Sequence, residues 1–147
     1  MKLKVSGSII FILSIYLLSV QCAKMNLDEL KKMVKPISSS CKKKNNVPED
    51  LLLASYAGVF PREKSLMCYY KCLATMLKLM NKQGQFSLDK MFNQVDLLVV
   101  EELAPRVKQI AKDCYDQTPK RDDTCEYTYD LVVCAYNTDS SLSVFSR

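Results

Sequence analysis

The 147-residue chain contains no histidine. Without an imidazole, a Ser–His–Asp or Cys–His catalytic arrangement cannot be built, and a His–Asp phospholipase is excluded for the same reason. The carboxylate pairs Glu101–Glu102 and Asp122–Asp123 are adjacent in sequence, so their side chains point apart and neither pair suits acid–base catalysis. Glycine-rich phosphate loops and calcium-loop motifs are also missing. We therefore expect no enzymatic activity, no cofactor and no metal site.

Glycine is scarce, with three in the chain, and runs of β-branched residues are sparse. Leu, Met and Lys are frequent instead, and this composition favours helices over a β-sandwich. A chain of this length fits one domain and can bury a substantial core. The composition therefore predicts a single all-α domain.

One long apolar stretch, residues 9–20, follows the positively charged Lys2 and Lys4. At about a dozen residues it is too short to span a bilayer, which disfavours a membrane anchor. Val20-Gln21-Cys22 follows as a cleavage pattern, and this order of segments is typical of a secretory signal peptide. We predict that residues 1–22 are removed and that residues 23–147 form one secreted, extracellular domain with no stable membrane insertion.

The excess of positive charge is small. Without Lys2 and Lys4, the 21 basic residues fall to 19 against 16 acidic residues, a net charge of about +3. A nucleic-acid-binding domain shows a stronger basic face with interleaved aromatic side chains. The run Lys42-Lys43-Lys44 is interpreted as a solvated helix end, where lysines complement the helix dipole. We therefore expect no nucleic-acid partner.

Cysteine is the abundant residue that sets the framework. Cys22 lies at the cleavage pattern and six cysteines follow it, an even number that indicates disulfides in a secreted chain. Cys68 and Cys72 project side by side from one predicted helix, so each should bond a different partner. Cys125 and Cys134, if on one helix, are about 13 Å apart, beyond the limit of roughly 7 Å for a bridge. Each exclusion removes three of the 15 pairings and one pairing is shared, so ten remain.

The intervals between the six cysteines are 26, 3, 41, 10 and 8 residues. This pattern resembles the six-cysteine signature of insect odorant-binding proteins, in which the three- and eight-residue intervals are characteristic. The resemblance covers the whole chain after residue 22. It implies a cage of six or seven short helices around an internal apolar cavity. The bridges that it implies, all compatible with the exclusions above, are Cys41–Cys72, Cys68–Cys125 and Cys114–Cys134.

Apolar residues recur at helical spacing in six segments. Asn26 and Ser87 are placed to cap the first and fourth helices, and Pro48 and Pro105 suit the starts of the second and fifth. Pro36 should kink or split the first helix. The other expected limits are an end near Gly58 for the second helix, a third helix from Arg62 to Lys82 and a sixth from Thr124 to Tyr136.

The expected ligand-binding side chains are apolar or aromatic, with methionines that adapt to irregular shapes. A hydroxyl of Tyr129 or Tyr136 would bind a ligand alcohol, aldehyde or ester, unless both hydroxyls simply lie at the surface. The predicted pocket consists of Leu73, Met76, Met80, Phe86, Met91, Phe92, Val95, Ile110, Tyr129 and Tyr136.

The C-terminal tail is polar except for Leu142, Val144 and Phe145. In some members of the resembled family this segment folds over the pocket, so the tail is either a lid or a frayed terminus. Some members also release ligand through a histidine-linked pH change. Because this chain has no histidine, we predict weak pH dependence of binding between pH 7 and 5.5.

Two functions are compatible with the sequence. The first, implied by the resemblance, is a passive carrier of small hydrophobic semiochemicals in extracellular fluid, acting as a monomer or weak homodimer and delivering ligand to a membrane odorant receptor. The second is a secreted interaction or effector protein, salivary or glandular, that uses the same scaffold to bind a partner protein. An open cavity of a few hundred Å³ favours the carrier, and a filled core favours the effector.

Overall fold

The computed structural model describes residues 23–144, and six α-helices make up most of this part of the chain. The prediction of a signal peptide in residues 1–22 lies outside the described residues. The helices, numbered in chain order, are α1 Leu27–Lys44, α2 Glu49–Tyr56, α3 Lys64–Met76, α4 Leu88–Leu98, α5 Ala104–Gln117 and α6 Thr124–Thr138, followed by a 3-10 turn at Ser140–Leu142. The only β-type pairings within residues 23–144 are two isolated bridges. The all-α prediction is confirmed.

Helix starts follow the capping residues in the sequence. The Asn26 side chain accepts a hydrogen bond from the Glu29 amide, and the Glu29 carboxylate accepts one from the Asn26 amide. Ser87 caps α4 by accepting from the Lys90 amide, and Asp123 accepts from two amides in the first turn of α6. These bonds satisfy backbone donors that have no partner inside a helix. The predicted starts of α1, α4 and α6 are confirmed.

Helix α1 continues without interruption through Pro36, so the predicted split is wrong. Proline removes one backbone hydrogen bond from a helix and disfavours it by roughly 3 kcal/mol. Leu30 and Val34 before the proline and Cys41 after it are all buried. Because both halves of α1 are packed into the core, tertiary contacts outweigh the local preference.

Helix α3 ends at Met76, not at Lys82 as the sequence pattern predicted. Lys78 adopts a left-handed backbone conformation with φ of 59°, which stops the helix. The Asn81 side chain then accepts hydrogen bonds from two backbone amides of a tight turn that includes Gly84. The apolar pattern continues across this turn, and for that reason the helix looked longer in the sequence.

Three disulfides tie the helices together, and their pairing is the one that the resemblance implied. Cys41–Cys72 joins α1 to α3, Cys68–Cys125 joins α3 to α6, and Cys114–Cys134 joins α5 to α6. Helices α2 and α4 carry no bridge. Instead, the Met25 amide donates to the Leu98 carbonyl at 2.7 Å, and the Val100 amide donates to the Met25 carbonyl at 3.1 Å. These two bonds pin the segment before α1 to the end of α4.

The buried side chains form three separate clusters. One joins α3 and α6 and includes Tyr69, Tyr70 and Tyr129. A second joins α1, α4 and α5, and a third joins α5 and α6. Residues from all three clusters face the cavity described next.

Candidate functional site

An internal cavity of about 280 Å³ lies between the helices. All six helices contribute to its wall, and so do residues of the tail up to Val144. Within residues 23–144 the wall contains a single charged side chain, Asp139. The wall is predominantly apolar, and such a surface favours contact with an apolar guest over contact with water.

The apolar part of the wall is supplied mainly by α1, α4 and α5. Their contributions are Leu27, Leu30, Met33, Val34, Met91, Val95, Leu98, Val107, Ile110 and Ala111.

Three of the hydroxyl groups on the cavity wall, those of Ser55, Tyr70 and Thr128, have protein acceptors. The Tyr70 hydroxyl donates to Ser55 Oγ at 3.0 Å, and Ser55 Oγ donates to the Leu52 carbonyl at 2.8 Å. Thr128 Oγ1 donates to the Thr124 carbonyl at 2.7 Å. Burial raises the pKa of Tyr70, so this phenol stays neutral at physiological pH. The three protons are therefore committed to protein acceptors.

Tyr136 differs from these three groups. Its ring lies on the cavity wall and packs edge-on against Phe60, with ring centroids 5.1 Å apart. Within the described residues its hydroxyl has no hydrogen-bond partner. Gly58 makes room for the ring, because a Cβ at Gly58 would stand 2.9 Å from a Tyr136 ring carbon. The Tyr136 hydroxyl is therefore available to a polar atom of a guest molecule.

The tail lies along the cavity as far as it is described. Leu142 packs against the cluster of α5 and α6, while Val144 packs against the cluster of α1, α4 and α5. Both side chains line the cavity. Phe145, the third apolar residue of the predicted lid, lies outside the described residues.

Asp139 fixes the start of this tail. Its carboxylate accepts hydrogen bonds from Ser141 Oγ at 2.6 Å and from the Ser141 amide at 3.2 Å, and the Arg106 guanidinium lies 3.4 Å away. The bonds from Ser141 and the charge of Arg106 hold the pKa of Asp139 below its ordinary value. The one charged group of the wall is thus an anion throughout the neutral range.

Residues 23–138 match the sequence model of the PBP/GOBP family. The chain belongs to this family of insect odorant-binding proteins. Solved structures agree: odorant binding protein 5 of Apis mellifera is 27% identical, with a TM-score of 0.70 over 80% of this chain and 94% of its own. Odorant binding protein 4 of Chrysopa pallens is 20% identical, with a TM-score of 0.71 over 84% and 99%.

A third solved structure, odorant binding protein 7 of Anopheles gambiae, is 22% identical, with a TM-score of 0.67 over 80% of this chain and 93% of its own. That protein has four disulfide bridges and was solved in complex with an azo compound, whereas residues 23–144 of this chain contain three bridges. Within those residues of this odorant-binding protein, no helix is long and apolar enough to cross a membrane.

The structure brings six of the ten side chains predicted from the sequence together on the cavity of this odorant-binding protein. They come from four different helices and the turn before α4. The six are Leu73, Phe86, Met91, Val95, Ile110 and Tyr136.

The two methionines predicted near the end of α3 do not reach the cavity. Met76 lies in the last turn of α3 with 53% of its surface exposed, because its position on the helix faces solvent. Met80 is buried, but it follows the early end of α3 and does not line the cavity. Its backbone pairs with that of Phe86, which does line the cavity. Only the misplacement of Met80 follows from the overlong helix.

Two aromatic residues were also misplaced. Phe92 follows Met91 on α4 and points outward, where its ring centroid lies 5.5 Å from Lys108 Nζ. Tyr129 is buried in the cluster of α3 and α6, and its hydroxyl donates to the Pro61 carbonyl at 2.8 Å. Tyr129 is therefore a core residue with a satisfied hydroxyl, and Tyr136 is the tyrosine on the cavity.

The contribution of α1 and of the segment between α4 and α5 to the cavity wall was not predicted from the sequence. Leu30 and Val34 lie on the inner face of α1, and Val99 follows α4. Helical periodicity indicates that such residues are buried, but burial alone does not separate a cavity wall from a filled core. A better signal is a small polar residue within an apolar face, which Ser55 and Thr128 provide.

Proposed function

We propose that this odorant-binding protein is a secreted carrier that holds one small hydrophobic molecule, such as an odorant or pheromone, in its internal cavity. The observation that carries the proposal is the largely apolar space of about 280 Å³ between disulfide-linked helices. An apolar guest gains roughly 25 cal/mol for each Å² of surface removed from water. The protein would thereby dissolve and transport molecules that water excludes.

Secretion is part of the proposal. The six cysteines of the described residues are all in disulfides, which form and persist in oxidising compartments. The apolar stretch of residues 9–20 has the composition of a signal peptide. We propose that residues 1–22 are removed, that the carrier acts without catalysis, and that a membrane odorant receptor is its downstream partner.

The competing function, binding of a partner protein through the surface, does not require an internal space. The cavity therefore supports the carrier. Tyr136 is the residue that we propose anchors a polar atom of the ligand, because it lines the cavity and the hydroxyls of Ser55, Tyr70 and Thr128 are already bonded.

Displacement of an environment-sensitive fluorescent probe tests the proposal. We expect the oxidised protein lacking residues 1–22 to take up the probe saturably, and volatile alcohols, aldehydes or esters to displace it. Val95→Phe should fill part of the cavity and weaken probe uptake by about tenfold. Leu97→Phe, an exposed position on the same helix, should leave it unchanged. Equal uptake by wild type and Val95→Phe, with both folded by circular dichroism, would place the binding site elsewhere.

A further inference from the structure

A second pocket, here named the outer pocket, opens beside the cavity between the turn before α4 and the loop that joins α5 to α6. Its volume is about 330 Å³. The rings of Phe86, Tyr115 and Tyr127 form its apolar side. Its polar lining consists of Gln85, Lys120, Arg121, Asp122 and Thr124. It therefore combines aromatic surface with two cations and one carboxylate.

Lys120 is held in place within this pocket. Its ammonium lies 3.3 Å from the centroid of the Tyr115 ring and 4.7 Å from that of Tyr127, and it donates a hydrogen bond to the Tyr127 hydroxyl. Aromatic faces attract and orient a cation but do not neutralise it. Among residues 23–144, no carboxylate forms an ion pair with Lys120, although Asp122 lies on the same pocket. Its charge is positioned without a counterion.

The neighbouring cation is already neutralised. Arg121 lies 2.5 Å from one carboxylate oxygen of Asp130 and 3.8 Å from one of Glu126. A negatively charged guest in the outer pocket would therefore meet Lys120 as its main partner.

Among residues 23–144, Phe86 is the one residue that lines both the cavity and the outer pocket. Its ring is half-buried, and its centroid lies 6.3 Å from that of Tyr115. Phe86 therefore marks the boundary between the two spaces. A molecule that extends past Phe86 would have an apolar chain at one end and an anionic group at the other.

We propose that the ligands of this carrier include amphipathic carboxylates, with the carboxylate on Lys120 in the outer pocket and the hydrocarbon chain past Phe86 in the cavity. The inference rests on the proposed carrier function and adds a ligand class to it. A carboxylate and an ammonium form a charge-assisted hydrogen bond. Because Lys120 is exposed to solvent, the gain is modest, about fivefold in affinity.

Displacement of the fluorescent probe by decanoic acid, methyl decanoate and butanoic acid at pH 7.5 tests the inference. Wild type should bind decanoate about fivefold more tightly than the ester. Lys120→Met should abolish this preference without changing the affinity for the ester, and Lys120→Arg should retain it. The matched control is Lys108→Met, which removes a lysine that also lies over an aromatic ring but lines neither pocket.

Equal affinities for the acid and the ester in wild type would overturn the inference and leave the carrier function standing. Equal weakening of both ligands by Lys120→Met would also overturn it, because Lys120 would then be structural. Binding of butanoate as tight as that of decanoate would show an anion site unconnected to the cavity and would overturn it as well. Failure of every ligand and of the probe to bind would overturn the carrier function itself, and this inference with it.

Discussion

Tyr136 is the side chain that we propose recognises a polar atom of the ligand. Tyr136→Phe removes that hydroxyl without disturbing any hydrogen bond among the described residues, so the free energy of unfolding should not change. Affinity for an aldehyde or ester should fall by about fivefold, the usual effect of one lost hydrogen bond, whereas affinity for a hydrocarbon should stay constant. Probe displacement and thermal melts measure the two quantities.

Tyr129→Phe is the matched control, seven residues earlier on the same helix. It leaves the Pro61 carbonyl without its donor and should lower the free energy of unfolding by about 1 kcal/mol. Burial raises the pKa of Tyr129 to about 12, as expected for a core phenol. Ligand affinity should be unchanged. The assignment of roles would be reversed if Tyr129→Phe, and not Tyr136→Phe, weakened ester binding.

Gly58 sets the position of Tyr136. Its φ of +85° is unfavourable for any residue with a side chain, and a Cβ would also collide with the Tyr136 ring. Gly58→Ala should therefore destabilise the fold by about 2 kcal/mol and also weaken ligand binding. Gly84 has a similar φ of +73° but open space around it, so Gly84→Ala should destabilise without weakening binding. Denaturant unfolding of the two variants measures the backbone strain, and probe displacement measures the effect of moving the Tyr136 ring. Equal ligand affinities of Gly58→Ala and Gly84→Ala would argue against a role for Gly58 in the cavity.

At the scale of the elements, α4 combines a large share of the cavity wall with the absence of a disulfide. It supplies Met91, Val95 and Leu98 to the cavity, yet no disulfide reaches it. Its links are packing against α5, an ion pair from Asp96 to Lys108, and the two backbone bonds of Met25. Ligand entry that requires movement of one helix would most readily move α4.

Hydrogen exchange measures this difference between helices. Amides of α4 should exchange faster than amides of α3, which two disulfides hold. Ligand should slow exchange in α4 more than in α3, because α4 lines much of the cavity. Equal protection of the two helices in the free protein would show that the missing bridge has no dynamic consequence.

The number and order of the helices were largely predictable from the sequence, whereas the residues at which they end were less so. Capping residues such as Asn26 and Ser87 act locally, so the sequence identifies them directly. The course of α1 through Pro36 and the stop at Lys78 depend on tertiary packing and on a turn that interrupts a continuing apolar pattern. Helical periodicity likewise does not show which residues of a buried face line the cavity. Tyr129 and Tyr136 are seven residues apart and share one face of α6, yet they lie about 10 Å apart along the helix.

At the scale of the whole molecule, the absence of histidine determines the response to acid. Asp139, the charged residue on the cavity wall, faces Arg106 and has a lowered pKa, so it does not titrate between pH 7 and 5.5. Affinity for a neutral ligand should therefore change by less than about tenfold over that range. Probe displacement at both pH values measures it. A larger loss would point to a carboxylate with a raised pKa.

The pH dependence of stability should follow the carboxylates whose pKa is lowered in the folded protein. Hydrogen bonds from Lys64 lower the pKa of Asp123; burial opposes the charge of Asp130, but Arg62 and Arg121 lower its pKa overall. A carboxylate with a lowered folded pKa stabilises at neutral pH, and this stabilisation is lost as the pH falls below about 4. Melting temperatures should therefore be flat from pH 7 to 5.5 and fall at lower pH. A decline already at pH 6 would contradict this account.

The cavity has a volumetric consequence. The void volume that the folded chain holds between its helices disappears when the chain unfolds, so the unfolded chain and its solvent occupy less volume than the native protein. Hydrostatic pressure should therefore unfold the empty carrier more readily than a ligand-filled one, because a guest of about 280 Å³ removes the compressible part of the interior. The same hollow that lets the protein carry a ligand makes its native state the bulkier one.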